Sequence, residues 1–294
     1  MRYFFIGSFI LLLSCVTVES NSDQKDTTLP AAANKTDPYG NKASLLSAFF
    51  GLDNALPFRA NKLCKGARGK DGMPVIFSHE LDIKSIQAGD FAVTLSSGKK
   101  GRVWCVTPAP ATDKGELRTI LLIGEFGSPD NPPAKVAIVG NILSIDRSIN
   151  FREASIEVVP LEKGPSLVTA EIIPLNQWEL RKKSTTGQGC PLETLQMIRV
   201  TWEGGVTKPG GKEIDALEAK LYEVQLEKKG GGSRTVTPIA ISDLGDNDNN
   251  HELCILESGL PLSVFFPAGH LTDPREDLNP NTWVEVSTIR LLKQ

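Results

Sequence analysis

Short apolar runs of four to eight residues, separated by Gly, Pro, Asn and Asp, dominate the chain from about residue 74 onward. Runs of this length that are rich in Val, Ile, Phe and Thr predict β-strands. The predicted strands in the first part of the chain are 74–77, 90–95, 101–106, 119–123, 135–139, 155–159 and 167–173. This pattern predicts an all-β protein built from β-sandwiches.

One segment before these strands has a different pattern. Residues 44–56 (SLLSAFFGLDNAL) form an apolar stretch that begins with Ser44 and is followed by Pro57. Ser is a favoured helix N-cap and Pro cannot continue a helix, so the segment predicts a short helix that covers one end of the core.

The order of landmarks in the first half recurs in the second half. Residues 106–108 (VTP) are matched by 236–238, 75–77 by 199–202, and 91–93 by 222–224. The second copy carries six extra residues, 246–251. Several landmarks in one order favour a duplicated β-domain, with boundaries at 44–163 and 164–294, over chance similarity of short β-segments.

The first fifteen residues carry an export signal. Met1 and Arg2 precede an apolar run of 11 residues, 3–13, which is too short to span a bilayer as a helix. The run ends in Leu12, Leu13, Ser14 and Cys15 and resembles the bacterial lipobox. This resemblance implies a cleaved signal peptide (1–14) and lipid attachment at Cys15; a plain secretory signal and an uncleaved anchor are the alternatives.

The segment after Cys15 is polar and predicts a flexible tether over residues 15–43, because it holds too little apolar surface to fold. Val16 follows the cysteine, and by analogy with bacterial lipoproteins this favours the outer membrane or cell surface, with a periplasm-facing position as an alternative. The membrane, contacted through the N-terminal lipid, is therefore one expected partner.

Four cysteines remain after Cys15: Cys64, Cys105, Cys190 and Cys254. An even number in an oxidising compartment predicts two disulfides. Two cysteines fall in each half, which favours Cys64–Cys105 and Cys190–Cys254; free buried thiols are the alternative.

One stretch of the first copy resembles the opening of the bacterial Ig-like domains found in surface-layer and adhesin proteins. The stretch runs from Pro74 to Ser78, through Leu81-Asp82 and Ser85-Ile86, to 90–93 (DFAV). The resemblance implies two core strands around a turn, and therefore two tandem Ig-like sandwiches.

Charge and composition narrow the classes of partner. The formal net charge is −3 and no block of like charge reaches five residues, so nucleic acid is not an expected partner. An unidentified protein or glycan is the expected ligand.

An acidic loop in the second half suggests a metal. Hard cations such as Ca²⁺ bind six to eight oxygen ligands, and alternating Asp and Asn residues supply them. The sequence suggests a calcium site, with a polar surface loop as the alternative. The candidate ligands are Asp243, Asp246, Asp248 and Asn250, and from a second oxygen-rich turn Asp277 and Asn279.

No catalytic motif is present: the sequence lacks GxSxG, HExxH and Walker patterns. His251 stands beside the acidic loop and is expected to be solvated there. Trp104 and Trp202 lie in strand patterns and are expected in the core, whereas Trp178 is expected at the surface.

These features predict an exported, lipid-anchored, non-enzymatic binding or structural module of the cell envelope, with calcium as a candidate stabilising ion. A carbohydrate-binding surface lipoprotein is the first alternative. A hydrolase whose carboxylates come from distant loops is the second.

Overall fold

The computed structural model describes residues 42–181, 189–228 and 230–287. Within these ranges the protein is all-β, as predicted: seventeen strands accompany one short α-helix, α1 (Ala216–Ala219), and four 3₁₀ helices (Phe58–Lys62, Ile83–Ser85, Ala88–Asp90 and Leu175–Gln177). The predicted signal peptide, Cys15 and most of the tether lie outside the described residues.

The strands form two large sheets and one small pair. The first sheet contains β1 (Leu45–Ala48), β2 (Asp71–Phe77), β3 (Phe91–Leu95), β4 (Lys100–Thr107), β5 (Thr119–Glu125), β6 (Pro133–Ile138) and β7 (Ser155–Glu157). The second sheet contains β8 (Leu167–Ile172), β11 (Gln196–Trp202), β12 (Glu223–Glu227), β13 (Ser233–Val236), β14 (Ala240–Ser242), β15 (Asn250–Ile255), β16 (Leu260–Phe266) and β17 (Thr282–Ser287). The small pair is β9 (Leu180–Arg181) with β10 (Cys190–Pro191). Each strand predicted in the first part of the chain coincides with one of β2 to β8.

The helix predicted at residues 44–56 is wrong. Leu45–Ala48 is the strand β1, which pairs antiparallel with β2. Three of its four residues are buried, so this short apolar run has no polar face to pattern it as a helix or a strand. Pairing with β2, a contact distant in sequence, decides its conformation.

Both large sheets curl around a core with the same order of strand pairing. The first runs β1-β2-β5-β4-β3-β6-β7, and a parallel bridge between Phe49 and Val159 brings its two ends together. The second runs β8-β11-β15-β14, then β13-β12-β16-β17, and β17 pairs parallel with β8. Pro238 separates β13 from β14, which pair with β12 and β15 as the single strand β4 pairs with β3 and β5; a proline cannot donate a ladder hydrogen bond. In this register Ile241, opposite Leu253, is equivalent to Val106, opposite Leu122, so the match of 236–238 to 106–108 is wrong. The domain boundaries at 44–163 and 164–294 stay a prediction.

Each sheet encloses its own apolar core. The first core includes Phe50, Phe77 and Phe151, and the second includes Trp202, Tyr222 and Phe266. Trp202 is therefore a core residue, as expected. Trp178 is partly buried, and its Nε1 donates to the carbonyl of Ile173 at 2.7 Å, so it is neither a core residue nor a fully exposed one.

Trp104, expected in the core, is 38% exposed. The register of β4 against β5 shifts between Val103 and Cys105, which makes Trp104 the extra residue of a β-bulge. A bulge re-aims the side chain of its extra residue, so alternation along β4 does not predict the side on which Trp104 lies.

The cysteines pair as favoured from the sequence: Cys64 with Cys105, and Cys190 with Cys254. Cys64–Cys105 joins the β1–β2 connection to β4, and Cys190–Cys254 joins β10 to β15. Among the described residues, no helix has the length and apolar character required to cross a bilayer.

Candidate functional site

A buried arginine on the outer face of the second sheet organises the candidate site. Arg199 lies on β11, directly opposite Glu171 of β8 and Glu252 of β15. Its guanidinium is 3.4 Å from the Glu171 carboxylate and 3.0 Å from that of Glu252. The three side chains form a cross-strand row of alternating charge, in which both acids share one cation.

The turn between β4 and β5 adds partners from the first sheet's side. Glu116 Oε1 lies 3.5 Å from Arg199 Nε, and Arg118 donates a hydrogen bond to Glu171. We call Glu116, Arg118, Glu171, Arg199 and Glu252 the junction cluster. All five are buried. Removing Arg199, the cation that Glu171 and Glu252 share, would leave buried acids without compensation, which is strongly destabilising.

Gly115 allows this turn to approach so closely. Its φ is +95°, and a Cβ atom added there would lie 2.1 Å from Arg199 Nη1. The adjacent carbonyl of Lys114 accepts a hydrogen bond from Arg199 Nη2 at 2.9 Å. A side chain at position 115 would therefore displace the guanidinium from its acids.

Glu116 also belongs to a second set of acids on the other side of the turn. Carboxylate oxygens of Glu116, Asp243 and Asp248 lie within 4.8 Å of one another, and those of Asp113, Asp243 and Asp246 do the same. We call these five residues the acidic cluster. Asp243 belongs to both groups, so the cluster is continuous.

Burial and mutual repulsion make Glu116, Asp243 and Asp248 hard to ionise. Burial, followed by the charges of Asp248 and Asp243, raises the pKa of Glu116 far above its usual range. Burial is also the main cause that raises the pKa of Asp243 and Asp248. Neighbouring carboxylates in a poorly solvated site are all ionised only when a cation compensates their charge; without one, some of them bind protons. Oxygen ligands of this kind suit a hard cation such as Ca²⁺.

Three of the six predicted calcium ligands, Asp243, Asp246 and Asp248, meet in this cluster. Asn250 is close but committed elsewhere: its backbone and side-chain N–H groups donate to Asp248, and its Oδ1 accepts from Thr201. Its side chain therefore orients Asp248 and offers no free oxygen.

The structure does not bring Asp277 and Asn279 to the acidic cluster. Asn279 Oδ1 accepts the backbone N–H groups of His270 and Leu271, and Asp277 lies 3.5 Å from Arg275. Asp277 is in neither carboxylate group of the described residues. Both residues belong to a tight turn, which Asn279 stabilises through hydrogen bonds to its backbone, a common role of Asn and Asp.

His251 is buried, so its expected solvated position is wrong. It is the second residue of β15 and faces the second core, where its Nδ1 lies 2.8 Å from the Tyr222 hydroxyl. Asp113, Glu116 and Arg199 are not among the site residues predicted from the sequence. One signal for Arg199 was available: a lone arginine within the apolar run 196–202 requires a buried acid.

A cleft of about 380 Å³ lies beside the acidic cluster. Apolar and small residues from both halves of the chain line it, including Phe49, Leu52 and Gly204. Asp248 also lines the cleft. It is the one member of the acidic cluster on the cleft wall among the described residues.

Comparison with known proteins yields little. No family model matches the chain, and no curated protein matches it. Among solved structures, the crystal structure of the S-layer protein rSbsC is similar, with a TM-score of 0.28 and 8% sequence identity. The match covers 84% of this chain and 54% of the S-layer protein, so the chain spans about half of that protein's length.

Proposed function

We propose that the chain is an exported, lipid-anchored, non-enzymatic structural or binding module whose two sheets are clamped together by a calcium ion. The lipobox-like residues ending in Cys15 and the two disulfides support export. The observation that carries the proposal is the position of Glu116. A turn that follows β4 of the first sheet inserts this acid into a group of acids beside β15 of the second sheet.

Glu116 has the properties of a ligand that awaits a cation. Its side chain is fully buried, and its Oε1, which lies 3.5 Å from Arg199 Nε, accepts no hydrogen bond among the described residues. It faces Asp243 and Asp248, and one oxygen of Asp243 is equally without a donor. A buried carboxylate oxygen that accepts no hydrogen bond costs about 1–3 kcal/mol of stability, and a bound cation would remove this cost.

The charge balance supports the same interpretation. The acidic cluster contains five carboxylates, and Arg199, its nearest cation, is shared with Glu171 and Glu252. The raised pKa values of Glu116, Asp243 and Asp248 mean that these three carboxylates bind protons more readily than free carboxylates do. A divalent cation would displace those protons and link the β4–β5 turn to the loop before β15.

Calcium-dependent thermal stability tests the clamp. After treatment with EDTA, we expect added CaCl₂ to raise Tm by about 5 °C, because ligand at about 100 times its Kd adds about 2.7 kcal/mol to the stability of the folded state. Glu116→Gln should abolish the rise. The same substitution should change Tm little without calcium, because glutamine resembles the protonated acid.

Asp273→Asn is the matched control, since Asp273 is a buried acid of the other oxygen-rich turn. It should leave the calcium-induced rise intact. A Tm that is equal in EDTA and in CaCl₂ would rule out the clamp and leave only a proton-compensated acidic cluster.

The anchor requires a separate test. Intact-mass analysis of membrane-extracted protein should show that residues 1–14 have been removed and that Cys15 carries a diacylglyceryl group. Cys15→Ser removes the sulfur that accepts the diacylglyceryl group, so this variant should lack the lipid and keep residues 1–14. Retention of Met1 on a soluble cytosolic chain would contradict the proposed location.

One observation favours a hydrolase as a second candidate. Asp248 lines the cleft, and burial, followed by the charge of Asp246, raises its pKa, as expected for a general acid. However, both of its oxygens accept hydrogen bonds from Asn250. Turnover of ester or glycoside substrates that is lost in Asp248→Asn would favour the hydrolase over the non-enzymatic module.

A further inference from the structure

A strongly basic surface lies on the opposite side of β4 from the core. Residues 58–70 (FRANKLCKGARGK) contain five cations and no acid, although the whole chain has a net charge of −3. Lys99, Lys100 and Arg102 follow at the start of β4. We call these two segments together the basic face.

The basic face is a fixed surface. Cys64–Cys105 ties residues 58–70 to β4, and Ala60 and Ala67 are buried beneath the segment. The backbone N–H of Leu56 donates to Lys70 and that of Gly69 donates to Leu56, which closes the segment at its base. The cations therefore start from a pre-organised arrangement, and docking would cost little ordering entropy.

Apolar side chains protrude among these cations. Phe58 is 71% exposed, Leu63 46% and Trp104 38%. The Lys70 ammonium lies 4.0 Å and the Arg102 guanidinium carbon 5.1 Å from the Trp104 ring centroid. The Arg68 guanidinium carbon lies 5.6 Å from the centroid of the Phe58 ring. Each exposed ring is thus held beside a cation.

Most of the positive charge on this face is not neutralised. Lys70 pairs with Glu125 at 2.8 Å. Across the described ranges, no acidic side chain lies within 4 Å of Arg59, Lys62, Lys65 or Arg68. These side chains are exposed to solvent. A group of exposed cations without acidic neighbours contributes little to the stability of the fold and is available to an anionic partner.

We propose that the basic face docks the protein on a membrane surface rich in anionic phospholipid. Each Lys or Arg near such a surface contributes about 1 kcal/mol. Phe, Leu and Trp side chains bury among headgroups and acyl chains, where an aromatic ring beside a cation is well accommodated. A soluble polyanion would satisfy the cations but would leave Phe58 and Leu63 without a role.

This docking is independent of Cys15 acylation and can be tested without it. The probe is the chain without residues 1–14, whose apolar run would itself insert into vesicles, and with Cys15→Ser. It is mixed with phosphatidylcholine vesicles that contain or lack phosphatidylglycerol. We expect preferential sedimentation with the anionic vesicles, and a loss of that preference when NaCl is raised from about 0.1 M to about 1 M, which shortens the Debye length from about 10 Å to 3 Å.

Charge reversal locates the face. Lys62→Glu/Lys65→Glu/Arg68→Glu should weaken binding to anionic vesicles about 100-fold. The three residues are exposed, so circular dichroism and Tm should be unchanged. Equal binding to both kinds of vesicle, or full binding by this variant, would overturn the proposal.

The matched control reverses three exposed lysines elsewhere, Lys135, Lys212 and Lys228, with the same change in net charge. It should keep most of the binding. Phe58→Ala/Leu63→Ala separates a membrane from a soluble polyanion: we expect about tenfold weaker vesicle binding, since two apolar side chains no longer insert. Unchanged vesicle binding in this variant, together with equally tight binding to heparin, would overturn the proposed membrane docking and indicate a soluble polyanion as the partner.

Discussion

The two sheets share one order of strand pairing, yet they fill equivalent places in their cores with different chemistry. Phe77 ends β2, as Trp202 ends β11. In the register of the sheets, Val75 is opposite Ile120, as Val200 is opposite His251. The equivalent pairs are Phe77 and Trp202, Phe91 and Tyr222, and Ile120 and His251.

In the first core these positions hold apolar side chains. Phe77 packs edge-on against Phe151 at 5.0 Å and against Phe91 at 6.4 Å between ring centroids. In the second core, Trp202 Nε1 donates to the Tyr222 hydroxyl at 2.9 Å, and that hydroxyl is hydrogen-bonded to His251 Nδ1 at 2.8 Å. The same scaffold thus accepts an apolar core or one that contains a hydrogen-bonded chain.

The difference shows what each core depends on. Apolar packing is non-directional, and its loss scales with the volume removed. The chain of Trp202, Tyr222 and His251 depends on every member, because a buried donor or acceptor left without its partner costs about 1–3 kcal/mol. The first core should therefore be sensitive to truncation, and the second to the loss of a single polar atom or to acid.

The largest expected effect is truncation in the first core. Phe77 is fully buried, so Phe77→Ala should lower the free energy of unfolding by about 4 kcal/mol through lost burial and the cavity left behind. Urea unfolding measures it. Phe58→Ala, at an exposed phenylalanine, is the control and should stay within about 0.5 kcal/mol of wild type. A small effect of Phe77→Ala would mean that the first core can collapse around the cavity.

Much of this core was predictable from the sequence, because β2 to β8 have local patterns of apolar and turn residues. β1 was not, because Leu45–Ala48 lies in a short apolar run whose conformation is decided by its pairing with β2. The candidate site was predictable only in part. Asp243, Asp246 and Asp248 are neighbours in one loop, whereas Glu116 reaches them from more than 100 residues away. No local pattern records that contact.

An intermediate effect is expected from one atom of the second core. Tyr222→Phe removes the hydroxyl that accepts from Trp202 and is hydrogen-bonded to His251, and should cost about 2–3 kcal/mol with almost no change in volume. Equilibrium unfolding again measures it.

A double-mutant cycle sharpens this result. Adding His251→Leu removes one of the groups left without a partner, so the double variant should lose less than the sum of the two single variants. Strict additivity would mean that Tyr222 and His251 contribute independently, and that the second core works like the first.

The smallest expected effect, counted per pH unit, is the loss of folding stability in acid. Burial lowers the pKa of His251 from its usual 6.5 to about 3. Between these values the unfolded chain binds a proton that the folded chain does not, so folding loses about 1.4 kcal/mol per pH unit as pH falls. Above about pH 6.5 the group has no effect on the pH dependence.

Glu252 of the junction cluster acts in the opposite direction, and its contribution to the pH dependence must be separated from that of His251. Burial raises the pKa of Glu252 to about 7, so its folded form binds the extra proton and gains stability as pH falls from about 7 towards 4.5. The difference between wild type and His251→Leu cancels this common contribution. That difference should shrink by about 1.4 kcal/mol per pH unit below about pH 6. His270→Gln, at an exposed histidine, should run parallel to wild type, and a parallel His251→Leu curve would mean that the buried ring is not the acid-sensitive element of the second core.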